Sequence, residues 1–253
     1  MRPLTPQQNF YTKLGWKAFP SSHISLSAKF AEGDMSRPIG DTTVIGAHDL
    51  SELCRLDEEY MRAKMLSPVD KSSRVRVALI PDAQTMQWHH AREEFAAKEL
   101  FGRTPNVKGA MTQDKNTGER VWCIWTRTYG NDRDGNTLNI LRLVIEGFED
   151  LMRQDPQSRS NNNETLDPAI EIKMHATFLV LQAAQHEAAK WGMKEVQLWS
   201  PTPLCVLAAQ QIKPGIKVIH RDEESIASLR WHGAELRKGF EVEWVGNETY
   251  GWC

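Results

Sequence analysis

Glycine is scarce where a nucleotide-binding chain would concentrate it. The sequence contains 16 glycines, yet none are separated by a single residue, so no G-x-G step exists. Between Gly147 and Gly192 there is no glycine at all. A loop that cradles a diphosphate needs glycine so that the main chain can turn tightly and come close to the phosphates. Long apolar runs are missing too. Nothing approaches the roughly 18 residues of a membrane span, and the N-terminal MRPLTPQQNF has no apolar leader core. Cysteine is sparse: the four residues, at positions 54, 123, 205 and 253, show no metal-binding or disulfide spacing. That reads as a reduced protein of the cytoplasm or nucleus, with the cytoplasm preferred. Neither sign of charge dominates. The formal net charge is −2, and the basic residues are scattered rather than striped, which argues against a nucleic acid partner. No repeat of solenoid period is visible.

What is present is organised around Leu138–Pro201. The segment LNILRLVIEG (138–147) is apolar and β-branched, a strand. Over Met174–Trp191, Phe178, Leu181, Ala184, Ala188 and Trp191 recur at three- and four-residue steps and line one face of a helix, with Gly192 as its stop. EVQLW (195–199) is a short strand closed by Pro201. Strand, crossover helix, strand builds a parallel pair. The N-terminus of such a helix often receives a phosphate, but here the entering residues, DPAIEIKMHAT (167–177), are bulky and include the anion Glu171.

The remaining elements follow in order. FYTKLGW (10–16) ends a helix at Gly15 and runs into a strand over 16–26. Residues 36–49 read as a linker and 49–67 as an amphipathic helix. Arg74–Pro81 is a strand, and Asp82 caps a helix over 83–101 that stops at Gly102. Strands at 107–113 and 119–129 flank a turn with Asn116 and Gly118. Residues 152–168 are polar and read as a disordered surface loop. A short helix spans 204–211, and a strand opens the segment 240–252. The fold class is α/β, with a mixed sheet that is antiparallel first and parallel across the crossover.

Several side chains could carry chemistry. WHHAREEF (88–95) sets two His/Glu pairs at i, i+4 on one helix. A metal site needs a third ligand and none presents itself, so ion pairing on the helix surface is the plainer reading. The same block could line a cleft, with Arg92 holding an acidic or amino-acid substrate. Nine tryptophans against four tyrosines is unusual. Trp122, Trp125 and Trp199 are candidates for pocket walls, with core packing as the alternative. Glu248 lies among Trp244, Tyr250 and Trp252, a carboxylate in an aromatic corner suited to an ammonium, or else a surface glutamate. Gly109 permits a close backbone approach or is a plain strand glycine. Asp57, Glu58 and Glu59 read as a solvated helix face.

FYTKLGW looks like the helix–strand step that closes a GNAT acyltransferase domain, F-Y-x-x-L-G-F/W. Together with PSSH, WHHAREEF, VKGA, LRLV, QLWSP and NETYGW, in that order over nearly the whole chain, it resembles the fungal lysine N-acetyltransferase family of the GNAT superfamily. Those enzymes carry an N-terminal GNAT domain and a C-terminal GNAT-like domain. The resemblance implies a GNAT-like mixed sheet with flanking helices over 48–253, preceded by a remnant of a second GNAT domain over 1–47. It implies acetyl-CoA as co-substrate and a small-molecule amine, lysine or similar, as acceptor. The family's acetyl-CoA loop, Q/R-x-x-G-x-G/A, would lie upstream of Met1, so the chain is expected to be a shortened form, with no coenzyme-binding residues assignable. Tyr11 falls in the slot of the tyrosine that protonates the departing thiolate in GNAT enzymes. The amine must lose a proton before it attacks, and no residue is assigned that task. The alternative is a non-catalytic GNAT-like domain that binds an amino acid or a protein partner.

Overall fold

The structure, a computed structural model, describes residues 6–29, 40–67, 74–130, 135–148, 151, 167–221, 226–232 and 241–251, with the backbone alone for 6–9. Seven strands form the central sheet. They are β2 (Ser22–Ser27), β3 (Thr43–Ile45), β5 (Gly109–Gln113), β6 (Arg120–Thr128), β7 (Thr137–Ile145), β8 (Glu195–Trp199) and β9 (Ile219–His220), in the order β3-β5-β6-β7-β8-β2-β9. Every neighbouring pair is antiparallel except β7 and β8. That parallel pair is joined by the long helix α4 (Pro168–Lys190), because a chain must cross over to start a second strand in the same direction. The expected mixed α/β sheet is therefore present.

Helices cover both faces. On one side α4 and α5 (Pro203–Ile212) pack Val180, Leu181, Ala184, Ala188, Cys205 and Ala208 against Cys123 and Trp125 of β6, Leu138 and Ile140 of β7, and Leu198 of β8. On the other, α2 (Leu50–Leu66) and α3 (Ala83–Phe101) bring Leu50, Leu53, Cys54 and Met86 onto Trp122 and Ile124 of β6 and Leu141 and Val144 of β7. Because both faces are covered, Val121–Arg127 of β6 are buried without interruption. Two short ribbons lie outside this sheet. β1 (Lys17–Ala18) pairs with β10 (Ser228–Leu229), and β4 (Arg74–Val77) runs parallel to β11 (Glu241–Trp244). Isolated two-stranded ribbons are marginal in water, and these share a small core of Phe19, Val242, Trp244 and Leu229. Helix α1 (Pro6–Lys13) precedes β1.

Differences from the sequence reading have local causes. The strand expected over 16–26 is broken at Pro20, which has no N–H to give to a ladder. The stretch read as a linker contributes β3 at the sheet edge beside β5. Helix α4 starts at Pro168, ahead of Met174, because Asp167 accepts the Ala169 N–H and proline suits the first helical position. The boundary expected at residue 47 falls after β2 and β3, both of which are strands of this one sheet. The polar stretch 152–166, the turn residues 131–134, Trp252 and Cys253 lie outside the described residues. Among the described residues, no helix is long and apolar enough to cross a membrane.

Gly109 is the close approach that the sequence left open. A Cβ there would stand 2.2 Å from the carbonyl oxygen of Cys123 on β6. Gly109→Ala must therefore push β5 away from β6, and an expected loss of about 2–3 kcal/mol, read by denaturant unfolding, checks this. A loss below about 0.5 kcal/mol, the scale of an ordinary surface change, would show that the strands separate freely.

Candidate functional site

The sheet parts between β7 and β8. The two strands pair from Thr137↔Glu195 to Ile140↔Leu198 and no further. Trp199, the last residue of β8, stays with His23 of β2, and the Ser200 N–H donates to the Ser22 carbonyl. On β7 the pairing with β6 skips Leu141, passing from Ile140↔Trp125 to Arg142↔Ile124. An extra residue of this kind is a β-bulge, which bends a strand and re-aims its side chains. Here it puts Leu141 and Arg142 in succession on the α2 side. Beyond the bulge, the edge of β7 facing β8 has no strand partner among the described residues. The chain leaves β8 through Ser200, a non-glycine residue at φ 48°, and turns into α5, which Thr202 caps.

The parting opens a cleft of about 580 Å³. Its walls come from β7 (Arg142–Gly147), from the end of β8 (Leu198–Thr202), from Asp57, Tyr60, Met61 and Lys64 of α2, and from Trp244–Glu248; Phe19 also lines it. The charged part of the wall centres on Arg142. Its Nε and Nη2 donate to the two oxygens of Asp57 at 2.7 and 2.6 Å, and its Nη1 donates to Glu248 Oε1 at 2.5 Å. The Leu143 N–H, on the unpaired edge of β7, donates to Glu248 Oε2 at 3.4 Å. One guanidinium thus serves two carboxylates. Burial pushes the Glu248 carboxyl above its ordinary 4.5; Arg142 opposes this and Asp57 adds to it.

A second carboxylate, Glu146, also lines the cleft. It accepts from Arg120 Nη2 at 2.8 Å, from the Arg120 N–H at 2.7 Å and from the Tyr60 hydroxyl at 2.9 Å. Burial works against its charge, but the bonds from Arg120 and Tyr60 outweigh it and hold the pKa below the ordinary value. Asn247 is nine-tenths buried on the same wall. Its Nδ2 points to the Pro20 carbonyl at 3.5 Å, and its buried Oδ1 accepts no hydrogen bond among the described residues.

The residues singled out from sequence scatter. Trp199 and Glu248 line the cleft. Trp199 stacks on His23 at 4.9 Å, with the Arg221 guanidinium 5.1 Å from its ring. Trp122 and Trp125 are fully buried on opposite faces of β6, outside the cleft. Arg92 is exposed on α3, and Tyr11 is half exposed, edge-on to Phe10 and Trp16; neither lines the cleft. The surface ion pairs expected in WHHAREEF are not on the surface. Glu93 is buried between Arg127 and Lys108, while the His89 and His90 Nε2–H groups donate to the carbonyls of Tyr250 and Trp125 at 2.8 and 2.9 Å. Asp57, read as solvated, is buried against Arg142, whereas Glu58 and Glu59 do form exposed pairs with Arg62 and Arg55. Asp57, Tyr60, Arg142, Glu146 and Asn247 were missed. The available signal was Arg142 itself, a charge inside the apolar run LNILRLVIEG.

Among the described residues, the start of the crossover helix offers no diphosphate cradle. At the start of α4, Asp167 already takes the Ala169 N–H, Pro168 has no N–H, and Glu171 adds a negative charge in the first turn. The described residues therefore do not fit the phosphate end of a coenzyme.

A mixed sheet that parts between two parallel strands joined by a crossover helix is a GNAT-like architecture. The chain belongs to the family described as the LYC1 GNAT-like C-terminal domain, whose profile matches residues 23–253. No curated protein and no solved structure matches it.

Two measurements follow from these buried charges. Arg142→Gln strands two carboxylates and is expected to cost about 3–5 kcal/mol near neutral pH by denaturant unfolding. Lowering the pH towards the 4.5 of an ordinary glutamate should recover part of that loss, as the Glu248 carboxyl, already raised by burial, takes up a proton. A pH-independent loss would mean that Arg142 acts only by packing. His90 is held down to about 4 from 6.5, mainly by burial. The unfolded chain takes up this proton first, so stability falls as pH drops from 6.5 to about 4, by about 3 kcal/mol in all. His90→Gln should flatten that part of the stability profile, and an unchanged slope would assign it to other groups.

Proposed function

We propose that this GNAT-related protein serves acetyl transfer from acetyl-CoA to the amine of lysine or a similar small molecule, as in the fungal lysine N-acetyltransferases, in the reducing cytoplasm. The observation that supports the reading is the parting of β7 from β8, which leaves a main-chain edge of β7 without a strand partner among the described residues, along a cleft of about 580 Å³. Acyl transfer gains most from holding two reactants in one geometry, and a wall that is part aromatic and part carboxylate suits an amine. The free, buried thiols of Cys54, Cys123 and Cys205 are compatible with a reducing compartment. Tyr11 remains the candidate proton donor to the departing thiolate, on the strength of the FYTKLGW pattern alone.

A second reading is favoured by the start of α4. Because Asp167 and Pro168 close that helix end, a non-catalytic domain that binds an amino acid or a protein partner accounts for the same cleft without a coenzyme.

Calorimetry separates the two. The transfer reading expects the protein to bind acetyl-CoA, and S-acetyl-pantetheine almost as well, since no described residue cradles the diphosphate. Tyr11→Phe should then lower turnover while binding persists. No heat from either thioester at millimolar concentration would sink transfer and leave the binding reading, and an unchanged rate in Tyr11→Phe would remove that residue from the chemistry.

A further inference from the structure

Helix α3 carries its polarity the wrong way round for a lone domain in water. Its inward face includes His89, His90 and Glu93, all bonded to groups outside the helix. Its outward face carries rings: Trp88 is 48% exposed and Phe95 72%. These two stand seven residues apart, two turns of helix, so they share one stripe, with the exposed Ala91 between them. One exposed ring is ordinary on a protein surface. An apolar stripe with a charged margin is the usual mark of a protein contact. The margin here is Arg92 and Glu99, both exposed. Among the described residues neither side chain has a hydrogen-bond or ion-pair partner. At 3.6 residues per turn, Arg92, three residues before Phe95, and Glu99, four after it, fall on the same flank of the stripe. That spacing is complementary to its own reversal. A two-fold axis near Phe95 lays a second α3 antiparallel on the first and keeps each flank on its own side. Arg92 then comes to the height of the partner's Glu99, and Glu99 to that of the partner's Arg92. Both pairs form at once, as a self-complementary contact demands. The same operation carries Trp88 to the partner's Gly102, where no heavy atom stands within 4 Å of a Cβ position and a ring has room. A parallel pairing would set Arg92 against Arg92 instead.

We infer that the outer face of α3 is a homodimer interface, in which a second copy of this chain packs its α3 antiparallel across a two-fold axis at Phe95, with Arg92 and Glu99 paired reciprocally. Tryptophan and arginine are the side chains that most often anchor such contacts. The bonds of Glu93 to Arg127 and Lys108 hold the helix on the sheet, so the stripe is presented on a fixed element. Trp88, Arg92, Phe95 and Glu99 do not line the cleft between β7 and β8, so the dimer leaves that cleft open and the inference is independent of the proposed function. A single helix pair buries less than the roughly 1,600 Å² of a standard interface, which sets the affinity at the weak end, with a Kd of about 1–100 µM.

Sedimentation equilibrium on the full chain tests it, with circular dichroism to confirm that each variant folds; the altered side chains are all exposed. Arg92→Glu alone, or Glu99→Arg alone, sets like charges against each other at both ends of the contact and should weaken the dimer at least about tenfold. The double variant Arg92→Glu with Glu99→Arg restores opposite charges and should return to within about threefold of the unaltered chain. Phe95→Lys, which places two cations at the two-fold axis, should leave a folded monomer. A chain that stays monomeric at about 1 mM would overturn the inference and leave the stripe to a partner of another kind. So would a dimer that survives Phe95→Lys, or one that the double variant fails to restore.

Discussion

The guanidinium of Arg142 ties together three stretches that are far apart in the chain: helix α2 through Asp57, strand β7 itself, and the segment after β11 through Glu248. Bringing these charges out of water is costly, and their attraction repays the cost only when geometry and hydrogen bonding are good. Here the geometry is good, with two parallel bonds to Asp57 and a third to Glu248. Arg142 reaches Asp57 only because the bulge at Leu141 turns it toward α2, and the same bulge is where β7 leaves β8. One irregular residue in a strand thus sets both the ion cluster and the opening beside it.

A second buried network lies across β6. Arg127 donates to Glu93 of α3 and Glu187 of α4, and Lys108 joins Glu93 and Glu94. The Arg127 guanidinium also lies 5.1 Å from the Trp191 ring. This network joins a helix on each face of the sheet through the central strand, at the end where β7 and β8 still pair. With His89 and His90 bonded to carbonyls of Tyr250 and Trp125, the buried polar face of α3 fixes the helix against the sheet. The paired end of the sheet is therefore clamped, while the parted end opens onto the cleft. A cleft beside a clamped sheet is the arrangement expected of a ligand site carried on a fixed scaffold.

The two clusters differ in composition. Around Arg127 and Lys108, three carboxylates, Glu93, Glu94 and Glu187, meet those two cations and Lys190, whose Nζ lies 3.6 Å from Glu187. Around Arg142 one guanidinium meets two carboxylates. The start of α4, where Asp167 takes the Ala169 N–H and Pro168 has none, is not shaped for a phosphate.

Composition and periodicity by themselves determined the class of fold, the crossover unit 138–201, the helices at 50–66 and 83–101, and the absence of a glycine cradle, because these depend on local spacing, caps and turn residues. They did not reveal that Asp57 is buried while Glu58 and Glu59 are solvated, since three successive acids on a helix look alike until a partner strand selects one face. Nor did they show that His89, His90 and Glu93 point inward, because a polar face is read as solvated unless its partners are known. Trp199 and Glu248 line the cleft, whereas Trp122 and Trp125, equally aromatic, lie in the two cores, and nothing in the sequence separates the three tryptophans. Only the tertiary structure decided these placements, for one physical reason: a charge or a ring is committed by what stands across from it, and Arg142, Asp57 and Glu248 meet only once β7 has bulged and the last strand has returned beside β4.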